Sequence, residues 1–259
     1  MRVGIYQFAM ADNPRENMTH IKTAVSEAAR NGVELLFLPE CALSGYPKEY
    51  PYTIEEVDFS EVENALNDLE ELAADNDLYI VAGTAEYANG KYYNSAVLAI
   101  PNNKAYTIYR KRALWGWDAE NFTPGDIVEG VFEKSGFRIG IRICYEVRFP
   151  EYFRELYSKN VDCAVVLFCD TSTDDSMERF DLIKAHLRTR AVENVFPILS
   201  VNSATKSQTA PTMVIDQNGS VVSELPRHNE ELLIYELEKG TQISFAAKGR
   251  KHISDMLIK

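Results

Sequence analysis

Residues 161–169 read VDCAVVLFC, an apolar run interrupted only by Asp162 and rich in β-branched side chains. A segment of this length and composition reads as a strand, and a strand apolar on both faces must be covered on both. The chain is therefore expected to build a sheet buried between other layers, and the rest of the sequence supplies those layers. Residues 2–8 and 34–38 read as strands. Between them a helix opens at Asp12 and Asn13 with Pro14 in its first turn, repeats Met18, Ile21, Val25 and Ala28 at helical spacing, and stops at Gly32. Ser60 with Glu63 forms a capping-box pair for a second helix. A strand at 78–83 follows, and 92–109 reads as a hairpin turning at 101–103. Further strands are expected at 137–144, 196–202, 211–216, 221–225 and 232–237, with helices at 150–157 and 179–194. Hairpin signals in both 92–109 and 211–237 point to two sheets rather than one, with helices on the outer faces. No linker or compositional break divides the chain, so residues 1–259 read as one α/β domain.

At 259 residues the chain is long enough to bury a core without disulfide or metal staples. Lysine and arginine number 27 against 39 acidic residues, a net charge of −12, which argues against a non-specific nucleic-acid binder. No apolar run approaches the ~20 residues of a membrane span. The start, MRVGIYQFAM, reads as a core strand rather than an export signal, and the four cysteines as free thiols in a reducing cytoplasm.

Several residues stand where chemistry is possible. Cys144 ends the apolar strand FRIGIRIC and is followed at once by YEVRFPEYF, a turn into a helix. A nucleophile on such a turn is exposed at a sheet edge beside unpaired backbone N–H groups; the other reading is an inert buried thiol. Cys41 and Cys163 read as packing, whereas Cys169 lies at a strand end beside the polar loop DTSTDDS and is a candidate pocket residue. Glu40 ends the strand LLFLP, where an apolar setting suits a general base; the other reading is a salt-bridged or cap carboxylate, which the residues alone favour. Lys111, in YRKRALWGWDAENFTPGD, either projects into a pocket or belongs to a solvated basic face, while Arg110 and Arg112 point away from it. Glu120 lies nine residues beyond Lys111 in the same segment. The four histidines are scattered, and there is no CxxC, GxSxG or GxxxxGK[ST], so neither a zinc site nor a serine triad is expected.

Three separated motifs, LFLPECALSGYP, YRKRAL and IGIRICYEVRFPE, occur in an order that resembles the nitrilase superfamily, the carbon–nitrogen hydrolases. RTRAVEN, MVIDQNGSVVSEL and RKHISDML extend the resemblance over nearly the whole chain. It implies a four-layer α-β-β-α sandwich that pairs as a homodimer or higher homo-oligomer. It also implies a Glu–Lys–Cys triad at Glu40, Lys111 and Cys144, a fourth acidic member at Glu120, and an oxyanion site completed by the backbone N–H of Tyr145. The implied reaction is hydrolysis of a small amide through a cysteine thioester, without a cofactor.

CYEVRFPE is most similar to the ω-amidase-type small-amide hydrolases, with Glu146 where that motif carries Asp. FCDTSTDDS and NSATKS depart from the family pattern beside the expected pocket. An N-carbamoyl-amine or N-carbamoyl-amino-acid hydrolase is the alternative within the family; a nitrilase and a non-catalytic binding member are further readings. Arg148, four residues after Cys144, either binds a substrate carboxylate or pairs with Glu146 or Glu151 to brace the turn.

Overall fold

A computed structural model describes residues 1–47, 53–240 and 243–258; the end of the polar loop expected at 41–52 lies outside the described residues. The chain opens with β1 (Arg2–Gln7), α1 (Pro14–Arg30) and β2 (Leu35–Phe37). Asn13 caps α1, its side chain accepting the Glu16 N–H, and Met18, Ile21, Ala24, Val25 and Ala28 form the buried face. The second helix, α2 (Phe59–Asp75), starts earlier than expected. Asp58 rather than Ser60 is its cap and accepts the Ser60 and Glu61 N–H groups, because a carboxylate there meets two unpaired donors at once.

β3 (Tyr79–Ala88) and β4 (Lys91–Ala99) form a long hairpin that the sequence reading stops short of at residue 83, and β4 turns back into β5 (Tyr106–Arg110) as expected. A short helix, α3 (Trp117–Asn121), precedes β6 (Val131–Lys134) and β7 (Phe137–Ile143). Then come α4 (Pro150–Ser158), β8 (Cys163–Leu167), α5 (Met177–Asn194), β9 (Ile198–Val201), β10 (Met213–Ile215), β11 (Val221–Glu224), β12 (Glu231–Glu236) and α6 (Phe245–Leu257).

The strands make two six-stranded mixed sheets, ordered β12-β1-β2-β3-β4-β5 and β11-β10-β9-β8-β7-β6. Read from β12 and from β6, the two sheets share one succession of pairings: antiparallel, parallel, parallel, antiparallel, antiparallel. The expected two sheets are present. However, β12 joins the first sheet beside β1 instead of extending the hairpin of β10 and β11.

Alternation divides the core. Val3, Ile5, Leu35 and Phe37 pack inward with Ile139, Ile141 and Val165 of the facing sheet, while Tyr6, Leu36 and Ile80 pack outward with α1 and α2. The second sheet is covered by α4 and α5, which completes the four layers. β8 is buried along its whole length, as its composition requires. No helix among the described residues is long and apolar enough to cross a membrane.

Candidate active site

Three strand ends deliver three side chains to one end of the sandwich. Glu40 follows β2 and is fully buried. Its backbone N–H donates to the Phe168 carbonyl at 3.2 Å, tying the end of β2 to the loop that leaves β8. This crossing needs Gly83, since a Cβ there would lie 2.4 Å from the Cys41 nitrogen and 2.5 Å from the Pro39 carbonyl oxygen.

Lys111 follows β5, donates its backbone N–H to the Asn94 carbonyl at 2.8 Å, and accepts the Gly125 N–H at 2.9 Å. Cys144 follows β7 and opens the 3-10 turn Cys144–Arg148 with a positive φ of 45°, a conformation rare for a residue with a Cβ. It is 8% exposed. The N–H of Tyr145 lies in the first turn of that element, where N–H groups have no partner from a preceding turn. Arg190, in the RTRAVEN segment, holds the far end of the turn by donating to the carbonyls of Val147 and Arg148 at 3.0 and 3.2 Å.

The Lys111 ammonium is buried between two carboxylates. It donates to Glu40 Oε1 at 2.8 Å and to Asp118 Oδ2 at 2.6 Å, leaving a third N–H. Burial alone would discharge it, but Glu40 and Asp118 outweigh that penalty and hold its pKa well above the ordinary lysine value, so the ammonium stays charged. Glu40 accepts two further bonds, from Asn94 Nδ2 at 2.7 Å and from the backbone N–H of Cys169 at 2.7 Å. Asp118 accepts the Tyr46 hydroxyl at 2.5 Å. Burial, with both carboxylates adding to it, pushes the Tyr46 phenol well up and keeps it a donor.

The side chains of Lys111, Asp118 and Cys144 face a cleft of about 470 Å³ whose walls include Tyr46, Trp115, Trp117, Tyr145, Arg148, Asp170 and Arg179. Thus Glu40, Lys111 and Cys144, far apart in sequence, converge. Glu120, expected as the fourth acidic member, does not: it is exposed on α3, and Asp118 is the acid of that helix that meets Lys111. Two residues apart on a helix, Asp118 and Glu120 face different sides.

Cys169 is buried at 1% exposure and is not among the residues that line the cleft; its backbone N–H reaches Glu40. Cys41 and Cys163 are buried, as expected. Arg110 and Arg112 do point away from Lys111. They are held in ion pairs, Arg110 with Glu86 and Asp126 and Arg112 with Glu155, rather than spread on a solvated face.

Arg148 lines the cleft, and among the described residues no carboxylate lies within ion-pair distance of it; its guanidinium carbon sits 5.6 Å from the Tyr145 ring centre. Its two expected braces, Glu146 and Glu151, are therefore not engaged with it. Sequence reasoning misses Asn94, Tyr46, Asp118 and the pair Asp170–Arg179. In that pair Arg179 donates from Nε and Nη2 to the two carboxylate oxygens of Asp170 at 2.7 and 2.8 Å. The departure FCDTSTDDS signals a changed cleft wall without showing which residues make it. Among the described residues, no group of three or more His, Cys, Asp or Glu side chains is placed to hold a metal ion.

The carbon–nitrogen hydrolase family profile matches residues 2–246. The chain belongs to the carbon–nitrogen hydrolase family. Among curated relatives, it is similar to the omega-amidase NIT2 of Xenopus tropicalis, 29% identical over 178 residues that make up 64% of this chain and 62% of that protein. It is also similar to an (R)-stereoselective amidase of a Pseudomonas species, 27% identical over 236 residues, 88% of this chain and 81% of that one. Against other relatives the match covers about half their length, 54% of a Schizosaccharomyces pombe hydrolase and 49% of the Dictyostelium discoideum nitrilase homolog 2. The fold matches the NitN amidase from Nesterenkonia sp. AN1 with a TM-score of 0.81 over 100% of both chains at 22% identity. Variants of that amidase have been solved in complex with butyramide and with acrylamide added to the active-site cysteine.

Proposed function

We propose that this carbon–nitrogen hydrolase cleaves small linear amides and releases ammonia, with Cys144 as nucleophile. The observation that carries the reading is the charged Lys111, buried between Glu40 and Asp118 at the floor of the cleft onto which Cys144 opens. Glu40 takes the Cys144 proton, and the thiolate adds to the amide carbon. The third N–H of Lys111 and the Tyr145 backbone N–H hold the oxyanion that forms. Glu40 returns the proton to the nitrogen, the C–N bond breaks, and ammonia leaves a thioester on Cys144. Water, deprotonated by Glu40, then attacks the thioester carbon; the acid departs and the thiol is restored. Asp118 orients Lys111. Every step uses groups of the protein and water. Four buried free thiols suit work in a reducing cytoplasm.

The guanidinium of Arg148, which pairs with no carboxylate among the described residues, favours substrates with a carboxylate remote from the amide, since it offers a bidentate partner at the cleft wall.

The test is a panel of neutral amides, dicarboxylic monoamides, carbamoyl amines and nitriles, read by ammonia and carbon dioxide release. Cys144→Ala should remove turnover while leaving thermal unfolding intact; a residual rate above about a hundredth of wild type would overturn the covalent reading. Arg148→Gln should lose about 1.5–3 kcal/mol in kcat/KM for the acid and little for a neutral amide of equal length. Equal losses would make Arg148 a brace.

A further inference from the structure

Glu146 lies two residues after Cys144, fully buried, and its carboxylate faces backbone rather than substrate. Oε2 accepts the N–H of Ile143 at 2.8 Å. Oε1 accepts the N–H of Arg112 at 2.9 Å and the hydroxyl of Tyr109 at 2.6 Å. Ile143 immediately precedes Cys144, and Arg112 immediately follows Lys111. The first lies at the end of β7 and the second just beyond β5, in opposite sheets. One carboxylate therefore spans the two chain segments that carry the nucleophile and its cation.

We propose that Glu146 is a positioning residue that sets the spacing between the Lys111 ammonium and the Cys144 sulfur; this rests on the roles given to those two residues above. Three features support it. The bond to Ile143 closes a short loop around Cys144 and holds its left-handed backbone, a conformation that persists only when the surroundings fix it. Its carboxylate is held in burial by direct hydrogen bonds to two backbone N–H groups and a hydroxyl, and an apolar side chain would fill the space without needing those partners if filling were its task. Reach also matters: an Asp on this backbone would hold its carboxylate about 1.5 Å short, one C–C bond, and would not meet Ile143 and Arg112 together. The side chain that departs from the related motif is thus the one long enough to join both sheets here.

The experiment uses the full chain and the variants Glu146→Gln, Glu146→Asp and Tyr109→Phe. Each is measured for thermal unfolding, for kcat and KM on a small amide, and for the pH profile of Cys144 alkylation by iodoacetamide, with peptide mapping to locate the label. In wild type a thiol facing Lys111 should react below the ~8.5 pKa of a free cysteine. Both Glu146 variants should fold, keep KM within about threefold, lose kcat by about 10²-fold, and shift the alkylation midpoint upward, because the cation and the sulfur are no longer held in register. Tyr109→Phe, which leaves both backbone bonds, should keep kcat within about threefold. A folded Gln or Asp variant with wild-type kcat and alkylation profile overturns the proposal, whatever its melting temperature. If only Glu146→Gln fails to fold, Glu146→Asp decides. Failure of both to fold makes Glu146 a folding residue and overturns it as well. An ordinary alkylation profile in wild type, or turnover surviving Cys144→Ala, instead overturns the roles of Cys144 and Lys111 on which the proposal stands.

Discussion

Asp118 shows how narrowly side-chain direction decides a role. In WGWDAENFTPGD two acids lie two positions apart, and spacing from Lys111 alone does not choose between them. Folding the segment into the one-turn helix α3 does, because residues i and i+2 diverge around a helix. Asp118 then meets Lys111 at 2.6 Å and Tyr46 at 2.5 Å, while Glu120 faces solvent. Asp118→Asn should leave Lys111 with a neutral partner that no longer orients it, and kcat on a small amide should fall by about 10²-fold, the scale of a lost oxyanion donor. Glu120→Gln should stay within about twofold, as exposed substitutions away from a site do. Steady-state kinetics on both variants decides the matter: a wild-type kcat for Asp118→Asn, or a large loss for Glu120→Gln, would return the acidic role to Glu120.

At the scale of elements, the reach of the sequence reading follows from how local each signal is. The Asn13 cap with Pro14, the apolar β8 and the strand-to-turn placement of Cys144 are local and survive folding unchanged. The edge strand β6, with Glu133 and Lys134 in its second half, carries too little apolar alternation to be read as a strand. The partner of β12 is a tertiary choice: it pairs with β1, more than two hundred residues away, and its own alternation cannot announce that. For the same reason the sequence identifies Glu40, Lys111 and Cys144 through their motifs, but not Asn94 or Tyr46, whose contacts exist only once β4 and the SGYP loop close on Glu40 and Asp118. The FTPGD motif also gains a physical meaning from the fold. Gly125 crosses the end of β5 so closely that a Cβ would lie 2.1 Å from the Arg110 carbonyl oxygen. Gly125→Ala should destabilise the protein by about 1–3 kcal/mol, the usual cost of overpacking, and should also lower kcat because the displaced backbone carries Lys111. Urea unfolding and kinetics on the same preparation check it, and a variant with unchanged stability would show that the crossing yields without strain.

The whole molecule leaves one face unexplained by its own core. Helix α6 is anchored on one side, where the Tyr157 hydroxyl donates to Asp255 Oδ1 at 2.6 Å and contacts the Lys251 carbonyl at 3.2 Å, and only Ala247 and Ser254 of the helix are buried. Its remaining large apolar side chains project outward, with Phe245 94% exposed and Leu257 80% exposed, and Ile253 and Met256 more than half exposed. Several exposed large apolar side chains on one helix of a highly charged protein suit an association site. A second copy of the chain is the partner expected from the family resemblance, with helices apposed so that the layers continue from one protomer to the next. Wild type should therefore sediment as a dimer or a larger homo-oligomer at micromolar concentration, and Phe245→Glu with Leu257→Glu should sediment as a monomer, because each change puts a charge into apolar contact. Glu40, Lys111, Asp118 and Cys144 all come from one chain, so the monomeric double variant should keep kcat within about threefold per protomer if the cleft needs nothing from its partner. Sedimentation equilibrium beside steady-state kinetics separates the two claims. A wild type that sediments as a monomer, or a double variant that stays associated, would remove α6 from the interface, whereas a clean monomer without activity would show that association, not the chain alone, holds the cleft in its working shape.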